Sequence, residues 1–309
     1  MDLEQPGEAE PGMAQRIEQS RSESRRRSRV RAAVFGLLSL TLVGFAALTG
    51  CMERLFYYPS RAEFQTPPRV EDVYFETEDG LTLHGWFIPA DPRSLDGDAP
   101  APVVLTPHGN AGNVSHHYPF VDFLPRAGFS VFLFDYRSYG RSDRGRLRRE
   151  PLIRDTRAAL DALLARDDID HSRIALFGLS IGGVIGLPVA AEREEIRSVV
   201  LMSPFASWKG IAADHSWLLG RALIPSGFDA IDQVRKLGDR PVLIVHGDND
   251  EVVPVEHAGR LEQAAKDAGV DIQVRISPGA MHNDLFWVDP GAENAIIEFL
   301  RETLGASDE

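Results

Sequence analysis

The chain has 309 residues, of which 43% are hydrophobic and 26% are charged, enough to bury a core in one large domain or two small ones. Its formal net charge is −13, and no basic, aromatic-rich patch interrupts the body of the sequence, which argues against nucleic acid as a partner. A single cysteine excludes an internal disulfide.

The N-terminal segment, residues 1–31, carries seven arginines and precedes an uncharged, apolar run over residues 32–50. As a helix, this run of 19 residues would be about 28 Å long, close to the thickness of a hydrocarbon core. Arginines that flank such a segment stay on the cytoplasmic side of the membrane. We therefore expect residues 32–51 to target or anchor the chain and the remainder to be extracytoplasmic.

The apolar run ends in "LTGC", which resembles the lipobox of bacterial lipoproteins and makes Cys51 a candidate lipidation site. An uncleaved signal anchor is the alternative, because the run is longer than an ordinary signal core. Both interpretations predict a domain that is tethered to the outer face of a bacterial-type membrane.

The next segment, residues 52–70, is predicted to be an extended connector because it contains several aromatic residues and a double proline. The main domain is expected over residues 71–304, followed by a tail at 305–309. Its first two apolar runs, "VEDVYFET" and "LTLHGWFI", flank an Asp-Gly pair and predict a β-hairpin.

Further strand-like runs follow along the chain. They are "PVVLTP", "SVFLFDY", "RIALFG", "RSVVLMS", "PVLIVHG" and "DIQVRIS". Most are continuously apolar, which is typical of central strands in a parallel sheet. Helical patterns alternate with them over residues 117–126, 152–165, 181–192, 255–268 and 292–304. The alternation predicts an α/β domain with a mostly parallel central sheet and helices on both faces.

One serine, Ser180, stands between glycines where an apolar strand ends, in "GLSIGG". A sharp turn from strand to helix strains the backbone of its central residue, and flanking glycines remove side chains that would collide. The N-terminus of the following helix favours a developing oxyanion. The pattern predicts a nucleophilic serine, the alternative being a tight turn that needs small residues.

A serine hydroxyl is a weak nucleophile that needs a base, and the base needs an orienting acid. The run "PVLIVHGDNDEVVP" delivers Asp248 and Asp250 after a buried strand, and "ISPGAMHNDLF" delivers His282 after the last strand. The order serine, acid, histidine is a known triad order. We favour Asp250 over its rival Asp248 because it precedes "EVVP", and Asp284 is too close to His282 in sequence.

Acyl transfer also needs two N–H donors for the oxyanion. The run "TPHGNAGN" follows a predicted strand at the place where one donor is expected, and the residue after the nucleophile supplies the other. We assign the backbone N–H groups of Asn110 and Ile181 to this oxyanion hole. His108 is interpreted as structural.

Five motifs, "HGNAGN", "DYRSYGRS", "GLSIGG", "HGDNDEVVP" and "GAMHNDL", occur in this order. With them the chain resembles the membrane-anchored branch of the alpha/beta-hydrolase superfamily, which includes acyl-protein thioesterase-like and monoacylglycerol-lipase-like serine hydrolases. The resemblance extends over roughly residues 55–304 and implies hydrolysis of esters or thioesters. One departure is Ser138, where the family usually has glycine.

An insert over about residues 204–235 is rich in aromatic and aliphatic side chains. In the superfamily, the loop at this point commonly forms a lid over the serine. We expect Phe205, Trp208 and Trp217 to contact an acyl or aromatic substrate. An ordinary core helix is the alternative.

No cofactor and no metal ion are predicted. The adjacent His116 and His117 cannot both face one site on a helix, and the other histidines lack ligand spacing. The glycines form no nucleotide-binding pattern.

The sequence thus predicts a serine hydrolase that acts on a small-molecule or lipid-like acyl substrate through an acyl-enzyme intermediate. Two alternatives remain open. One is an aminopeptidase-like cleavage of amide bonds by the same triad, and the other is a catalytically silent binding module on a hydrolase scaffold.

Overall fold

The computed structural model describes residues 53–54, 56–95 and 100–305, except for the side chains of residues 216–223. The chain divides into two units, Met1–Cys51 and Met52–Glu309, and the described residues all belong to the second. The predicted segments 1–31 and 32–51, the candidate lipidation site Cys51 and the side chain of Trp217 therefore lie outside the described residues. Within the described ranges, no helix is both long and apolar enough to span a membrane.

The strands correspond closely to the apolar runs of the sequence. In chain order they are β1 (Tyr58–Pro59), β2 (Glu71–Glu76), β3 (Thr82–Ile88), β4 (Val103–Pro107), β5 (Ala111–Gly112), β6 (Ser130–Asp135), β7 (Ile174–Leu179), β8 (Ile196–Met202), β9 (Val242–Gly247) and β10 (Ile272–Ser277). The predicted hairpin is confirmed, since β2 and β3 pair antiparallel from Glu71 opposite Phe87 to Glu76 opposite Thr82.

Eight of these strands form one sheet in the order β10-β9-β8-β7-β4-β6-β3-β2. The strands from β10 to β6 in this order pair in parallel, whereas β3 pairs antiparallel with β6. The short strands β1 and β5 pair separately, in parallel. The prediction of a mostly parallel sheet is confirmed. Consequently the carboxyl ends of six strands meet at one edge, where loops collect functional groups.

Helices cover both faces of this sheet. They are α1 (Val114–His117), α2 (Phe123–Arg126), α3 (Arg149–Leu164), α4 (Ile181–Glu192), α5 (Trp208–Leu223), α6 (Ala230–Val234), α7 (Glu256–Asp267), α8 (Leu285–Val288) and α9 (Gly291–Leu304), with two 3₁₀ turns at Pro92–Ser94 and Tyr118–Phe120. The predicted helix over residues 117–126 is broken into short turns, because prolines at 119 and 125 remove backbone donors.

Two separate clusters of buried side chains pack on the two faces of the sheet. Alternate residues of one strand enter different clusters, as Leu105 and Val104 of β4 do. The cluster that contains Leu105 includes buried residues of α3, α4 and α7, whereas the cluster that contains Val104 includes buried residues of α2 and α9. The central strands are buried on both sides, which explains their continuously apolar sequences.

Ser138, the residue that departs from the family pattern, lies in the loop after β6. Its φ angle is +71°, in the left-handed region that favours glycine. The Ser138 hydroxyl donates a hydrogen bond to the Gly145 carbonyl and accepts one from the Gly145 N–H, each 3.0 Å long. These two bonds, which glycine cannot make, hold the loop closed and compensate for the strained backbone.

Candidate active site

Ser180 occupies the turn between β7 and α4. Its φ angle of +53° and ψ angle of −119° are strained for a residue with a side chain. The turn closes tightly, since a Cβ atom on Gly178 would overlap Gly183, and one on Gly182 would overlap the Pro107 carbonyl. The Ser180 N–H donates to the Met202 carbonyl at 2.7 Å, which ties the turn to β8. Both glycines are therefore required by contact with neighbouring backbone.

His282 lies in the loop between β10 and α8 and makes two hydrogen bonds with the predicted partners. Its Nε2 is 3.0 Å from the Ser180 Oγ, and its Nδ1 is 2.7 Å from the Asp250 Oδ2. An ionised carboxylate only accepts, so Nδ1 carries the proton and Nε2 is free to accept from the hydroxyl. The structure thus brings Ser180, His282 and Asp250 together in the order that general-base activation of a serine needs.

Asp250 is 7% exposed and is held in the loop after β9. Its Oδ1 accepts hydrogen bonds from the N–H groups of Val252 and Val253, at 2.9 Å and 2.8 Å. Burial by itself raises the pKa of Asp250, but hydrogen bonds from His246 and His282 outweigh it and hold the pKa well below the ordinary value. The carboxylate is therefore ionised at neutral pH and can orient the imidazole.

The rival acids have other partners. The Oδ1 of Asp248 accepts from the Gly279 N–H at 2.6 Å, and the Oδ1 of Asp284 accepts from the Met281 N–H at 2.7 Å. Each bond shapes the loop that carries His282, and neither carboxylate is paired with the His282 ring. The structure therefore places Asp250, rather than Asp248, on the imidazole.

A second histidine, His246, also contacts Asp250. The sequence pattern did not indicate this contact. His246 is fully buried at the end of β9, with Nε2 2.8 Å from the Val253 carbonyl and 3.3 Å from the Asp250 Oδ2. Its position directly before the "GDND" loop was the available signal. His246 and His282 therefore contact the same carboxylate oxygen of Asp250.

A cavity of about 1090 Å³ opens above Ser180. Both predicted oxyanion residues, Asn110 and Ile181, line it. Ile181 is the first residue of α4, so its N–H has no acceptor within its own helix. The Asn110 carbonyl accepts from the Tyr139 hydroxyl at 2.8 Å, which fixes the loop after β4 at the rim of the cavity.

Two of the aromatic residues predicted to contact substrate, Phe205 and Trp208, lie in different surroundings. Phe205 lines the cavity, whereas Trp208 does not. Trp208 is fully buried, packs edge to face against Phe56 and Phe205, and lies under the guanidinium of Arg149. Its indole N–H donates to the Phe228 carbonyl at 3.2 Å. Trp208, the first residue of α5, is thus a core residue and not a cavity residue, as the alternative core-helix interpretation of the insert allowed.

The connector and helix α1 supply cavity walls that the sequence did not indicate. Phe56, Tyr58 and Ser60 of the connector line the cavity, together with His116 and His117 of α1. Tyr58 reaches the loop after β4 because β1 pairs with β5. The sequence did not indicate these contacts because a strand of two residues, such as β1, is too short to show a periodic pattern.

Comparisons with known proteins agree with the observed fold. A sequence profile for the alpha/beta hydrolase fold matches residues 102–230. The uncharacterized protein YfhR of Escherichia coli K12 is 36% identical over 235 residues, covering 75% of this chain and 80% of that protein. The alpha/beta hydrolase domain-containing protein WAV2 of Arabidopsis thaliana is 30% identical over 287 residues, covering 85% of this chain and 91% of that protein.

Solved structures share the fold at lower identity. The esterase Pf2001 of Pyrococcus furiosus superposes with a TM-score of 0.66 and 22% identity, covering 81% of this chain and 99% of that chain. A puromycin-hydrolyzing peptidase of Mycobacterium tuberculosis has the same TM-score and identity, covering 79% of this chain and 42% of that chain. At this identity the likeness extends to the fold alone.

Proposed function

The chain belongs to the alpha/beta hydrolase family, and we propose that it is a serine hydrolase that cleaves carboxylic ester or thioester bonds. The observation that carries the proposal is the continuous hydrogen-bonded series from Ser180 through His282 to Asp250, in which Ser180 and His282 line a largely apolar cavity. The finer placement in the membrane-anchored branch is part of the same proposal.

In the proposed acylation step, His282 Nε2 takes the proton of the Ser180 hydroxyl as Oγ attacks the substrate carbonyl carbon. The oxygen of the tetrahedral intermediate accepts hydrogen bonds from the N–H groups of Asn110 and Ile181. The intermediate collapses, the bond to the leaving oxygen or sulfur breaks, and that atom receives the proton from His282. An acyl group remains on Ser180.

Deacylation repeats the cycle with water. His282 takes a proton from water as its oxygen attacks the acyl carbon, and Ser180 leaves with the proton returned by His282. Asp250 keeps the imidazole in the required tautomer and stabilises the transient imidazolium in both steps. The strained turn at Ser180 holds Oγ above the sheet edge throughout.

The proposal is tested with a fluorophosphonate probe, which forms a covalent bond with an activated serine. Ser180→Ala should abolish labelling and lower turnover by at least about 10³-fold, because the hydroxyl is the only group removed. Ser203→Ala is the matched control, since Ser203 also lines the cavity and should leave labelling intact. Labelling of Ser180→Ala at wild-type stoichiometry would contradict the assignment.

A set of an ester, a thioester and an aminoacyl amide with a common acyl group separates the remaining alternatives. We expect turnover of the ester or thioester to exceed turnover of the amide. A preference for the amide would support the peptidase alternative. Absence of both labelling and turnover in the wild type would support the silent binding module.

We also propose that the domain is tethered outside the cytoplasm, through residues 32–50 or through lipidated Cys51. The support is the arginine-rich segment followed by a 19-residue uncharged run that ends in the single cysteine. The intact mass of the detergent-extracted chain distinguishes the two forms. A lipoprotein begins at Cys51 with added acyl mass that Cys51→Ser removes, whereas a signal anchor retains the earlier residues and is unaffected by that change.

A further inference from the structure

The connector contacts the loop that carries the proposed oxyanion donor Asn110. Strand β1 of the connector pairs in parallel with β5 of this loop, with Tyr58 opposite Ala111. The Ser60 N–H extends the pairing by donating to the Gly112 carbonyl at 2.9 Å. These two strands form a sheet of their own, apart from the eight-stranded sheet. The oxyanion loop is therefore tied to a segment that precedes the main domain in the sequence.

Asn110 is held at two of its atoms. Its side-chain Oδ1 accepts a hydrogen bond from the Tyr58 N–H at 3.2 Å. Its backbone carbonyl accepts one from the Tyr139 hydroxyl at 2.8 Å. In the described part of the chain, the Asn110 N–H donates to no other group. The two bonds thus fix the residue and leave its N–H available for the oxygen of a substrate.

Tyr58 makes this contact through its backbone, because its side chain is 63% exposed. Strand β1 is itself held by two motifs that supply no residue of the triad. The Ser60 carbonyl accepts from the Gly140 N–H at 2.9 Å and from the Asn113 Nδ2 at 3.4 Å. Asn113 belongs to "HGNAGN" and Gly140 to "DYRSYGRS". Both motifs therefore bind the connector where it meets the oxyanion loop.

We propose that Tyr58 and Tyr139 are positioning residues for the oxyanion hole, and that strand β1 of the connector is required to form it. The Tyr58 N–H and the Tyr139 hydroxyl orient Asn110 so that its N–H faces the oxygen that becomes negative during acylation. Neither tyrosine takes part in bond making. This inference rests on the proposed serine hydrolase function.

The orientation of this donor matters most in the tetrahedral intermediate. The oxygen of the intermediate is negatively charged, so it gains more from a well-placed N–H than the substrate carbonyl does. Loss of one such donor costs about 10²- to 10³-fold in kcat. A donor that is displaced but not lost should cost about 10- to 100-fold. KM should change by less than about threefold, because the ground state depends little on this bond.

Three variants of the detergent-extracted full chain each remove one part of the arrangement. Asn110→Ala removes Oδ1 but keeps the backbone N–H, Tyr139→Phe removes only the hydroxyl, and Tyr58→Pro removes the backbone donor. Each should lower kcat on p-nitrophenyl butyrate by about 10- to 100-fold. Fluorophosphonate should still label Ser180 to full final stoichiometry, because the nucleophile and its base are unchanged.

Two ketones separate positioning from a general structural role. A trifluoromethyl ketone adds to the serine hydroxyl and places an oxyanion in the hole, whereas the methyl ketone with the same chain binds without this step. The variants should weaken inhibition by the trifluoromethyl ketone about 10- to 100-fold. Inhibition by the methyl ketone should weaken by less than about threefold. Equal losses for both ketones would indicate a distorted cavity and overturn the inference.

Asn110→Ala and Tyr58→Pro break the same hydrogen bond, so their effects should not add. The double variant should lose about as much kcat as the single variant with the larger effect. Losses that multiply in the double variant would show that the two groups act independently, which contradicts the proposal. Asn110→Ala and Tyr139→Phe carry the test by themselves when Tyr58→Pro fails to fold.

Glu63→Pro is the matched control for proline in the connector. Glu63 is exposed, and its N–H donates to no group among the described residues, so kcat should stay within about threefold of wild type. Tyr58→Ala keeps the N–H and should lower kcat less than Tyr58→Pro does.

Wild-type kcat in Asn110→Ala and Tyr139→Phe would overturn the inference and leave the proposed function intact. A wild type that is neither labelled nor active would refute the proposed function instead.

Discussion

The candidate active site and the interface between β2 and β3 each hold a histidine bonded to aspartate, yet only one is arranged for catalysis. His84 on β3 is fully buried, with Nδ1 3.1 Å from Asp135 and Nε2 2.7 Å from Asp72. His282 has one carboxylate partner, and its Nε2 faces the Ser180 hydroxyl at 3.0 Å. The two histidines differ in the partner of the second ring nitrogen, which is a carboxylate for His84 and a hydroxyl for His282.

A ring with both nitrogens on carboxylates has no site left for proton exchange with a substrate. His84 on β3 instead links three strands, because Asp72 lies on β2 and Asp135 lies on β6. Asp72 also accepts from the Trp86 indole at 3.1 Å, and Asp135 accepts from the Val114 N–H at 2.9 Å. A histidine–aspartate pair is therefore not by itself a sign of catalysis. What distinguishes His282 is a nitrogen that is free for a hydroxyl at the floor of a cavity.

The largest effect is expected when the acid on His282 is changed. Asp250→Asn should lower kcat/KM by about 10³- to 10⁴-fold, because an amide no longer holds the required tautomer or stabilises the imidazolium. Asp248→Asn is the matched control and should cost less than about 10-fold, since Asp248 bonds the Gly279 N–H and not the ring. Steady-state kinetics on a soluble ester measure both, and the opposite ranking would move the role to Asp248.

The corresponding change at the structural histidine should affect stability rather than catalysis. His84→Leu leaves the buried Asp135 carboxylate without its ring partner and should lower the free energy of unfolding by about 2–4 kcal/mol. Turnover per labelled serine should stay within about twofold of wild type, because His84 contacts neither the cavity nor the triad.

His171→Leu provides the control for this experiment. His171 is exposed, with one bond from its ring to the Arg166 carbonyl, so the loss should stay below about 0.5 kcal/mol. Urea unfolding measures both variants. Equal losses in His84→Leu and His171→Leu would show that the paired carboxylates contribute nothing to stability.

A smaller, pH-dependent effect is expected from His117, whose ring is buried and neutral. The pKa of His117 is about 4 in the folded chain, against about 6.5 for an unfolded histidine. Between these values the unfolded chain binds a proton that the folded chain excludes, so stability falls as the pH falls. By pH 5 the loss should reach about 2 kcal/mol relative to neutral pH.

Urea unfolding of wild type and His117→Phe at pH 7 and pH 5 isolates this contribution. The variant lacks the titrating ring, so its stability should decline less between the two values. Identical declines would show that the His117 ring takes up a proton as readily in the folded chain as in the unfolded one.

Local sequence was sufficient for much of the fold and for the positions of the proposed triad. Apolar runs marked the central strands because strands buried on both faces need continuous hydrophobicity. Glycines flanking Ser180 marked a turn that the structure shows to be closed against Pro107 and Gly183. Asp250 and His282 were identified because each directly follows a strand whose carboxyl end lies at the same edge of the sheet.

Contacts between distant segments decided the rest. Whether Asp248 or Asp250 contacts the imidazole depends on the paths of the loops after β9 and β10. The sequence analysis favoured Asp250 from the neighbouring "EVVP" alone, which carries no information about these paths. Trp208 and Phe205 have similar local sequence surroundings, but the first packs under the connector and Arg149, and the second lines the cavity. Hydrophobicity alone does not distinguish a core aromatic from a cavity aromatic.

The sequence by itself determined the class of fold, the strained serine turn and the order of the candidate triad, because these depend on periodicity and on residues within a few positions of each other. Tertiary structure alone decided which histidines are fully bonded and which keep a free nitrogen, as the contrast between His84, His117 and His282 shows. The physical reason is that a ring nitrogen finds its partner through space. Its chemistry is set by a carbonyl, carboxylate or hydroxyl from a segment that sequence spacing does not identify.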